Sequence, residues 1–366
     1  MKFVFALIVV TCGLTFQAIT ASAITISIDY TYDANNFFDT QQKKDLLQAA
    51  ADTLANRFTD NLSAIVPTGG SHWNATFYNP ATGVQTQIAD PTIPANTVVV
   101  YAGGRDLGSG VLGQGGYGGY NTAVGTPTFN TALTTRGQGV VSGSAALDFA
   151  PWGGGITFTT APGTAWGFSN GAPAAGTYDF FTVALHELSH LLGFGLSDSW
   201  NNQRSSSAFL GPQSTLANGG VNVPISADHG HWQTGTQNDG RYTAMAAALY
   251  SGIRSGFTTL DFAGMDDIGW TLAPLGIPGD VNHDGVVDIV DLTLVAGTWQ
   301  TAGPTGDANG DSIVDIQDVT VIANHWLEGS GGGGFTAVPE PGTWIGLTVG
   351  IAILATYSQR KRIVTP

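Results

Sequence analysis

The sequence predicts an α/β (α+β) domain with a mixed sheet and one buried helix at its centre, followed by a small all-α module and a C-terminal transmembrane segment. Three observations predict it. Between residues 24 and 272, alternating and β-branched runs are interleaved with apolar runs at helical spacing. After residue 279 an acidic loop of fixed spacing occurs twice, each copy running into an apolar stretch. Finally, residues 341–359 carry no charge and are followed by Arg360-Lys361-Arg362.

Residues 1–23 combine Lys2, an apolar run from Phe3 to Phe16 and Ala21-Ser22-Ala23, the pattern of a secretory signal peptide. Ile24 to Tyr30 alternates and reads as a strand. From Thr40 to Leu62 the spacing is helical, with Leu46, Leu47, Ala50, Leu54, Phe58 and Leu62 on one face and Asp39 or Thr40 as cap. Thr97–Tyr101 reads as a central strand, Asp106–Asn130 as an irregular Gly-rich surface loop, and Gly154–Thr160 as a further strand. If that last strand lies at an edge, it can pair with an extended substrate.

Tyr178 to Leu185 is apolar and free of Gly and Pro, and it leads into His186-Glu187-Leu188-Ser189-His190-Leu191-Leu192-Gly193. This predicts a buried helix stopped by Gly193 in a left-handed cap. Residues four apart share a helix face, so His186 and His190 can offer two imidazoles to one metal ion. Glu187 beside them can hold and deprotonate a metal-bound water.

The stretch resembles the metzincin clan of metallopeptidases, whose motif is H-E-x-x-H-x-x-G-x-x-H. The first eight positions match; the eleventh is Leu196. Asp198 comes two residues late. The better candidates for a third ligand lie in Asp228-His229-Gly230-His231-Trp232, with His231 preferred, His229 second and Asp198 third. Met245, in Tyr242-Thr243-Ala244-Met245-Ala246, fits the clan's Met-turn. A distant His shortly before such a Met resembles the leishmanolysin-like arrangement. The resemblance implies one Zn²⁺ held by His186, His190 and His231, Glu187 as general base, and Tyr242 as a candidate oxyanion donor. Residues 257–270 resemble the closing helix of such domains, with Leu260, Ala263 and Ile268 toward the core. The match covers 186–270; residues 24–185 join the same domain by continuity.

Residues 273–278 form a Pro/Gly linker. Asp280, Asn282, Asp284, Asp288 and Asp291 then place oxygen side chains at loop positions one, three, five, nine and twelve, with the Val286 carbonyl at seven. Asp307, Asn309, Asp311, Asp315 and Asp318, with the Ile313 carbonyl, repeat the spacing 27 residues later. The segment 279–328 resembles a type I dockerin, an EF-hand-like module of two loop–helix units, which implies up to two Ca²⁺. It departs from that family in two ways. Gly285 has Ser312 as its counterpart. Positions ten and eleven, where dockerins contact cohesins, are Ile289-Val290 and Ile316-Gln317. A cohesin-like partner and a calcium-stiffened spacer therefore both stay open.

Residues 329–338 are a Gly/Ser-rich linker. The tail 339–366, with Pro339-Glu340-Pro341, its apolar run and its basic end, resembles the PEP-CTERM sorting signal of Gram-negative bacteria. This implies export, an exosortase-type processing enzyme, transient anchoring in the inner membrane, and a final place at the cell surface, in the outer envelope or outside the cell.

The formal charge is -15 with only 12 Lys and Arg, which argues against nucleic acid as a partner. The single cysteine, Cys12, lies in the signal segment, so no thiolate remains to block a metal. The expectation is a secreted or cell-surface zinc-dependent endopeptidase acting on a protein or peptide. The alternative is a non-catalytic surface or dockerin-docked protein, such as an accessory of a polysaccharide-degrading complex.

Overall fold

A computed structural model describes residues 24–273, 277–282 and 286–328. Asp284, the Gly/Ser-rich stretch 329–338 and the segments expected to be a signal peptide (1–23) and a sorting tail with a transmembrane segment (339–366) lie outside the described residues. Among those described, no helix is long and apolar enough to cross a membrane.

The chain is mixed α/β, with eight helices among the described residues. β1 (Thr25–Asp29) is followed by α1 (Gln41–Ala55), β2 (His72–Tyr78), β3 (Gln85–Ala89), β4 (Thr97–Arg105), β5 (Gly113–Tyr117), β6 (Gly119–Val124), α2 (Pro127–Thr135) and β7 (Gly153–Thr159). Two short strands, β8 (Trp166–Gly167) and β9 (Tyr178–Asp179), lead into α3 (Phe180–Leu191). Beyond it come α4 (Asp198–Asn202), β10 (Ala208–Phe209), α5 (Pro212–Ala217), β11 (Val223–Pro224), β12 (Gln237–Asn238), β13 (Arg241–Tyr242) and α6 (Thr259–Asp267). α7 (Ile289–Gly297) and α8 (Ile316–Asn324) complete the order.

The main sheet runs β1-β4-β7-β5, with the first three strands parallel and β5 antiparallel at the edge. A second, antiparallel sheet is ordered β3-β2-β6. α1 and α3 pack on each other and against the main sheet. Their shared core includes Leu47, Leu54, Val98, Val100, Phe158, Phe180, Leu185 and Leu188. A strand buried on both faces reads as a continuous β-branched run, which is why β4 was legible as central.

Three expectations need correction. α1 stops at Ala55, although Phe58 and Leu62 are fully buried as the spacing required. Past the helix the chain turns to pair with the end of the domain: Phe58 bridges Leu272, and the Thr59 amide donates to the Thr271 carbonyl at 2.9 Å. The Gly-rich stretch read as a surface loop contains β5, β6 and the start of α2. Glycine hides strand periodicity because it supplies no side chain to alternate, yet its backbone pairs normally. Finally, β7 is interior, flanked by β4 and β5, so the open edge belongs to β5.

One organiser of this half left no sequence signal. Arg136 is fully buried, and its guanidinium donates to the carbonyls of Ser63, Thr97, Pro151 and Pro94 at 2.6–3.1 Å. Burial pulls it down to about 10.

The two C-terminal helices share a small core of Val287, Val295, Val314, Val319 and Ile322. Their loops pair reciprocally. Val287 exchanges hydrogen bonds with Leu327 and Glu328, and Val314 with Gln300 and Thr301. This near-symmetry is the structural counterpart of the sequence repeat.

Candidate metal centre

α3 begins where Asp179 caps it, accepting from the Thr182 amide at 3.0 Å. All twelve of its residues are buried, as a run with no polar face requires. It ends in a Schellman motif: the Phe194 amide returns to the Ser189 carbonyl and the Gly193 amide to the His190 carbonyl, both at 3.0 Å. Gly193 has φ 101°, and a Cβ there would also meet the Phe149 ring at 2.6 Å, so the expected glycine stop is doubly required.

The third imidazole arrives from far along the chain. Residues 225–232 form a hairpin-like loop closed by the Ile225–Trp232 bridge and the Ser226 amide to the His231 carbonyl. It packs against the end of α3 because Gly195 has no side chain: a Cβ there would fall on the Gly230 carbonyl. His231 is thereby brought between the two helical histidines. The Nε2 atoms of His186 and His190 are 3.1 Å apart, those of His190 and His231 2.9 Å, and those of His231 and His186 3.1 Å.

The far side of each ring explains what these approaches mean. Nδ1 of His186 meets the Ala244 carbonyl at 2.8 Å, and Nδ1 of His190 meets the Phe194 carbonyl at 2.9 Å. Nδ1 of His231 meets Oδ2 of Asp228 at 2.9 Å. Carbonyl and carboxylate oxygens only accept, so each neutral ring carries its proton on Nδ1 and turns a bare Nε2 lone pair inward. Three lone pairs facing one point are not hydrogen bonds to one another; they are a ligand set for a cation. Burial and the neighbouring rings lower the affinity of His186 for a proton and bring His190 down to about 4, which keeps the lone pairs of these two rings free. These three residues can hold a metal ion, and their ligand atoms lie within 4.8 Å of one another.

Glu187 points into the same cleft but is not part of the cluster. Burial pushes its carboxyl up to about 8, opposed by a hydrogen bond from the Gly115 amide. The strand that supplies this amide lies directly on the helix. A Cβ at Gly113 would fall on the Glu187 carboxylate, and one at Gly115 on the Glu187 carbonyl. The glycines of β5 are thus a packing requirement of the site. The cleft has a volume of about 1030 Å³, bounded by β5 on one side and by Ala246 to Leu249 on the other.

A knot beneath the cluster was not foreseen. Asp261 is fully buried in α6. Its Oδ2 accepts from the Thr258 amide (2.9 Å), the Thr258 hydroxyl (2.8 Å) and the Ala244 amide (3.0 Å). Its Oδ1 accepts from Trp232 Nε1 at 3.0 Å and the Met245 amide at 3.3 Å. One carboxylate therefore ties the neighbour of His231 to the turn whose Ala244 carbonyl holds His186. The Thr258-x-x-Asp261 capping pair was the available signal, but it points only to a helix start. Asp228 gave no signal beyond its place in the candidate loop.

The other candidates are placed as follows. Met245 is fully buried in the turn beside Ala244. Leu260, Ala263 and Ile268 face the core as expected. Asp198 starts α4 and accepts from the Gly143 amide, away from the cluster. His229 sits at φ 64° with Nε2 toward the Ser206 carbonyl at 3.1 Å, so it is turned outward. Tyr242 packs on Tyr250 and does not line the cleft.

In the acidic repeats, Asp291 and Asp318 occupy equivalent places. Asp291 accepts from the Val281, Asn282 and Asp288 amides, and Asp318 from the Asn309 and Asp315 amides. Burial and the nearby Asp318 and Asp311 carboxylates push Asp307 up to about 8. A crowded buried carboxylate of this kind is relieved by a cation. Yet, among the described residues, these carboxylates do not converge as the three imidazoles do; in the second loop Asp307, Asp311, Asp315 and Asp318 are each turned to backbone amides of the loop or of the helix start. Asp280 and Asn282 of the first loop are described, whereas its Asp284 is not.

The chain matches no protein-family model, no curated protein and no solved structure.

Proposed function

We propose that this chain is a zinc-dependent endopeptidase of metzincin-like type. The observation that carries the reading is the convergence of three bare Nε2 lone pairs beside a buried glutamate. A tetrahedral ion with bonds of about 2.0–2.1 Å spaces its nitrogens by roughly 3.3 Å, close to the separations present here. His186, His190 and His231 would hold zinc, leaving a position open to the cleft. The ion would supply a Lewis acid that acidifies water and polarises the scissile carbonyl. Glu187 takes the proton of the attacking water and delivers it to the leaving amine. A neighbouring cation favours the ionised form of Glu187, offsetting the effect of burial. The open edge of β5 receives the peptide backbone by strand addition.

The test is purification of the full chain, measurement of bound zinc, and casein hydrolysis beside Glu187→Gln. The expected result is that the variant keeps its metal and loses activity by roughly 10²- to 10⁴-fold. Equal background cleavage by both proteins would overturn the peptidase reading in favour of a non-catalytic surface protein.

For 279–328 we propose an EF-hand-like calcium module in which Asn309 and the Ile313 carbonyl add to the carboxylates. Calcium is expected to raise the melting temperature of the full chain, and Asp307→Ala to abolish that rise. No shift in the wild type would remove the calcium reading. The exposed Ile289, Val290 and Ile316 at the helix starts suit a docking partner. Export and surface sorting through the two chain ends belong to the same proposal. Appearance of the protein in the cytosolic fraction after osmotic shock would contradict it.

A further inference from the structure

We propose that the second acidic loop, 307–318, has its partner within the chain: it docks through Ser312 on Gly256 and braces the Asp261 knot under the histidine cluster. The functional meaning rests on the reading of that cluster as the metal site.

Ser312 stands where the first loop has Gly285. It is held at φ 68°, a conformation that favours glycine, yet it is serine and almost fully buried. The burial is against the peptidase-like domain. A Cβ built on Gly256 would lie 2.7 Å from Ser312 Oγ and 3.4 Å from the Asp311 and Gly310 carbonyl oxygens. Gly256 is bare because the loop sits on it. Arg241 stands at the same contact. Its Nη2 donates to the Phe257 carbonyl at 3.3 Å and lies 3.8 Å from where a Cβ of Gly310 would be, so a cation faces the acidic loop. Among the described residues, its Nε is buried there without a partner. A second contact lies at Gly303, where a Cβ would meet the Ala49 Cβ of α1 at 3.1 Å.

The segment under the loop leads directly to the site. Arg254 pairs with Asp179, the cap of α3, at 2.9 Å. The Ser255 amide donates to Thr182 Oγ1 of α3 at 2.8 Å. Gly256 carries the loop, Phe257 receives Arg241, and Thr258 opens the capping box that contains Asp261. Arg241 is three residues from Ala244, whose carbonyl orients His186. The loop therefore presses on both chain segments that meet at Asp261. Ser312 is a positioning residue on this account: the side chain that strains its own loop makes the contact.

Hydrogen exchange of the full chain, with Ser312→Gly and Gly256→Leu, tests this. Glycine at 312 relaxes the backbone of the loop but removes the docking group, so a purely local role and a bracing role predict opposite results. The expected outcome for both variants is exchange about tenfold faster at 241–246 and 255–261, with α1 and β4 unchanged. Chelator-driven loss of metal from the histidine cluster should also quicken severalfold, while the melting temperature of Ser312→Gly holds. Unchanged or slower exchange at those segments in Ser312→Gly would overturn the proposal, whatever Gly256→Leu does. The exchange arm decides even if the cluster holds no metal, so its failure is separable from failure of the peptidase reading.

Discussion

Asp261→Asn isolates the knot beneath the cluster, because the substitution preserves shape and removes acceptor capacity. The carboxylate accepts five hydrogen bonds, three on Oδ2 and two on Oδ1. The amide of Asn can accept on one atom only. Its cheapest orientation keeps the oxygen toward Thr258 and Ala244 and turns NH₂ toward Trp232 Nε1 and the Met245 amide. Two buried donors then face a donor. At about 1–3 kcal/mol for each unsatisfied buried group, the loss is roughly 2–6 kcal/mol. That is a large share of the about 5–15 kcal/mol by which folded proteins are stable. Loss of stability alone would be unspecific, so Asp267→Asn serves as the control. Asp267 also lies in α6 and also accepts two backbone amides, of Gln213 and Ser214 at 2.8 Å, but those amides belong to α5 and not to the cluster. Denaturant midpoints and metal affinity by chelator competition are the assays. Both variants should lose stability, whereas Asp261→Asn should also loosen metal, since Trp232 adjoins His231 and Ala244 orients His186. Equal metal affinity in the two variants would refute the idea that the knot positions the ligands.

Three further outcomes are expected. Asp228→Asn should weaken metal binding by about 10- to 100-fold by removing the carboxylate that fixes the His231 tautomer, and His231→Ala should release metal while His229→Ala keeps it; metal content by emission spectrometry checks all three. Gly115→Ala should displace Glu187 and lower both stability and turnover, whereas Gly116→Ala, whose Cβ meets nothing within 4 Å, should be close to neutral by thermal melts and activity.

The two helical histidines, Glu187 and the glycine stop of α3 were legible because they depend on local periodicity: an i, i+4 pair shares a face on any helix. The loop of His231 was legible as a candidate region, but the choice between His229 and His231 was settled by packing. The two differ by two residues, and only the turn at Asp228–Gly230 aims one inward and the other at Ser206. The strand order was not readable either. Glycine at 113 and 115 erased the alternation of β5, so its position at the sheet edge against α3 emerged only from the fold. Asp261 is a hub that local spacing could not reveal: two of its five bonds cap its own helix start at Thr258, while the other three reach residues 16–29 positions away along the chain.

What the sequence determined by itself are the features written in short spacings: the histidine pair with Glu187 beside it, the duplicated acidic loop, the interleaved α/β class and the helix start at Asp39–Thr40, where Thr40 is the cap. What the tertiary structure decided are the features that join distant segments. These include the third imidazole 41 residues beyond His190, the carbonyl that fixes the tautomer of His186 from 58 residues away, and the seat of Ser312 on Gly256. The physical reason is one of range. Helix periodicity and capping act over a single turn of chain, whereas closing a ligand set requires loops whose relative placement is set by burial and hydrogen bonding across the whole core.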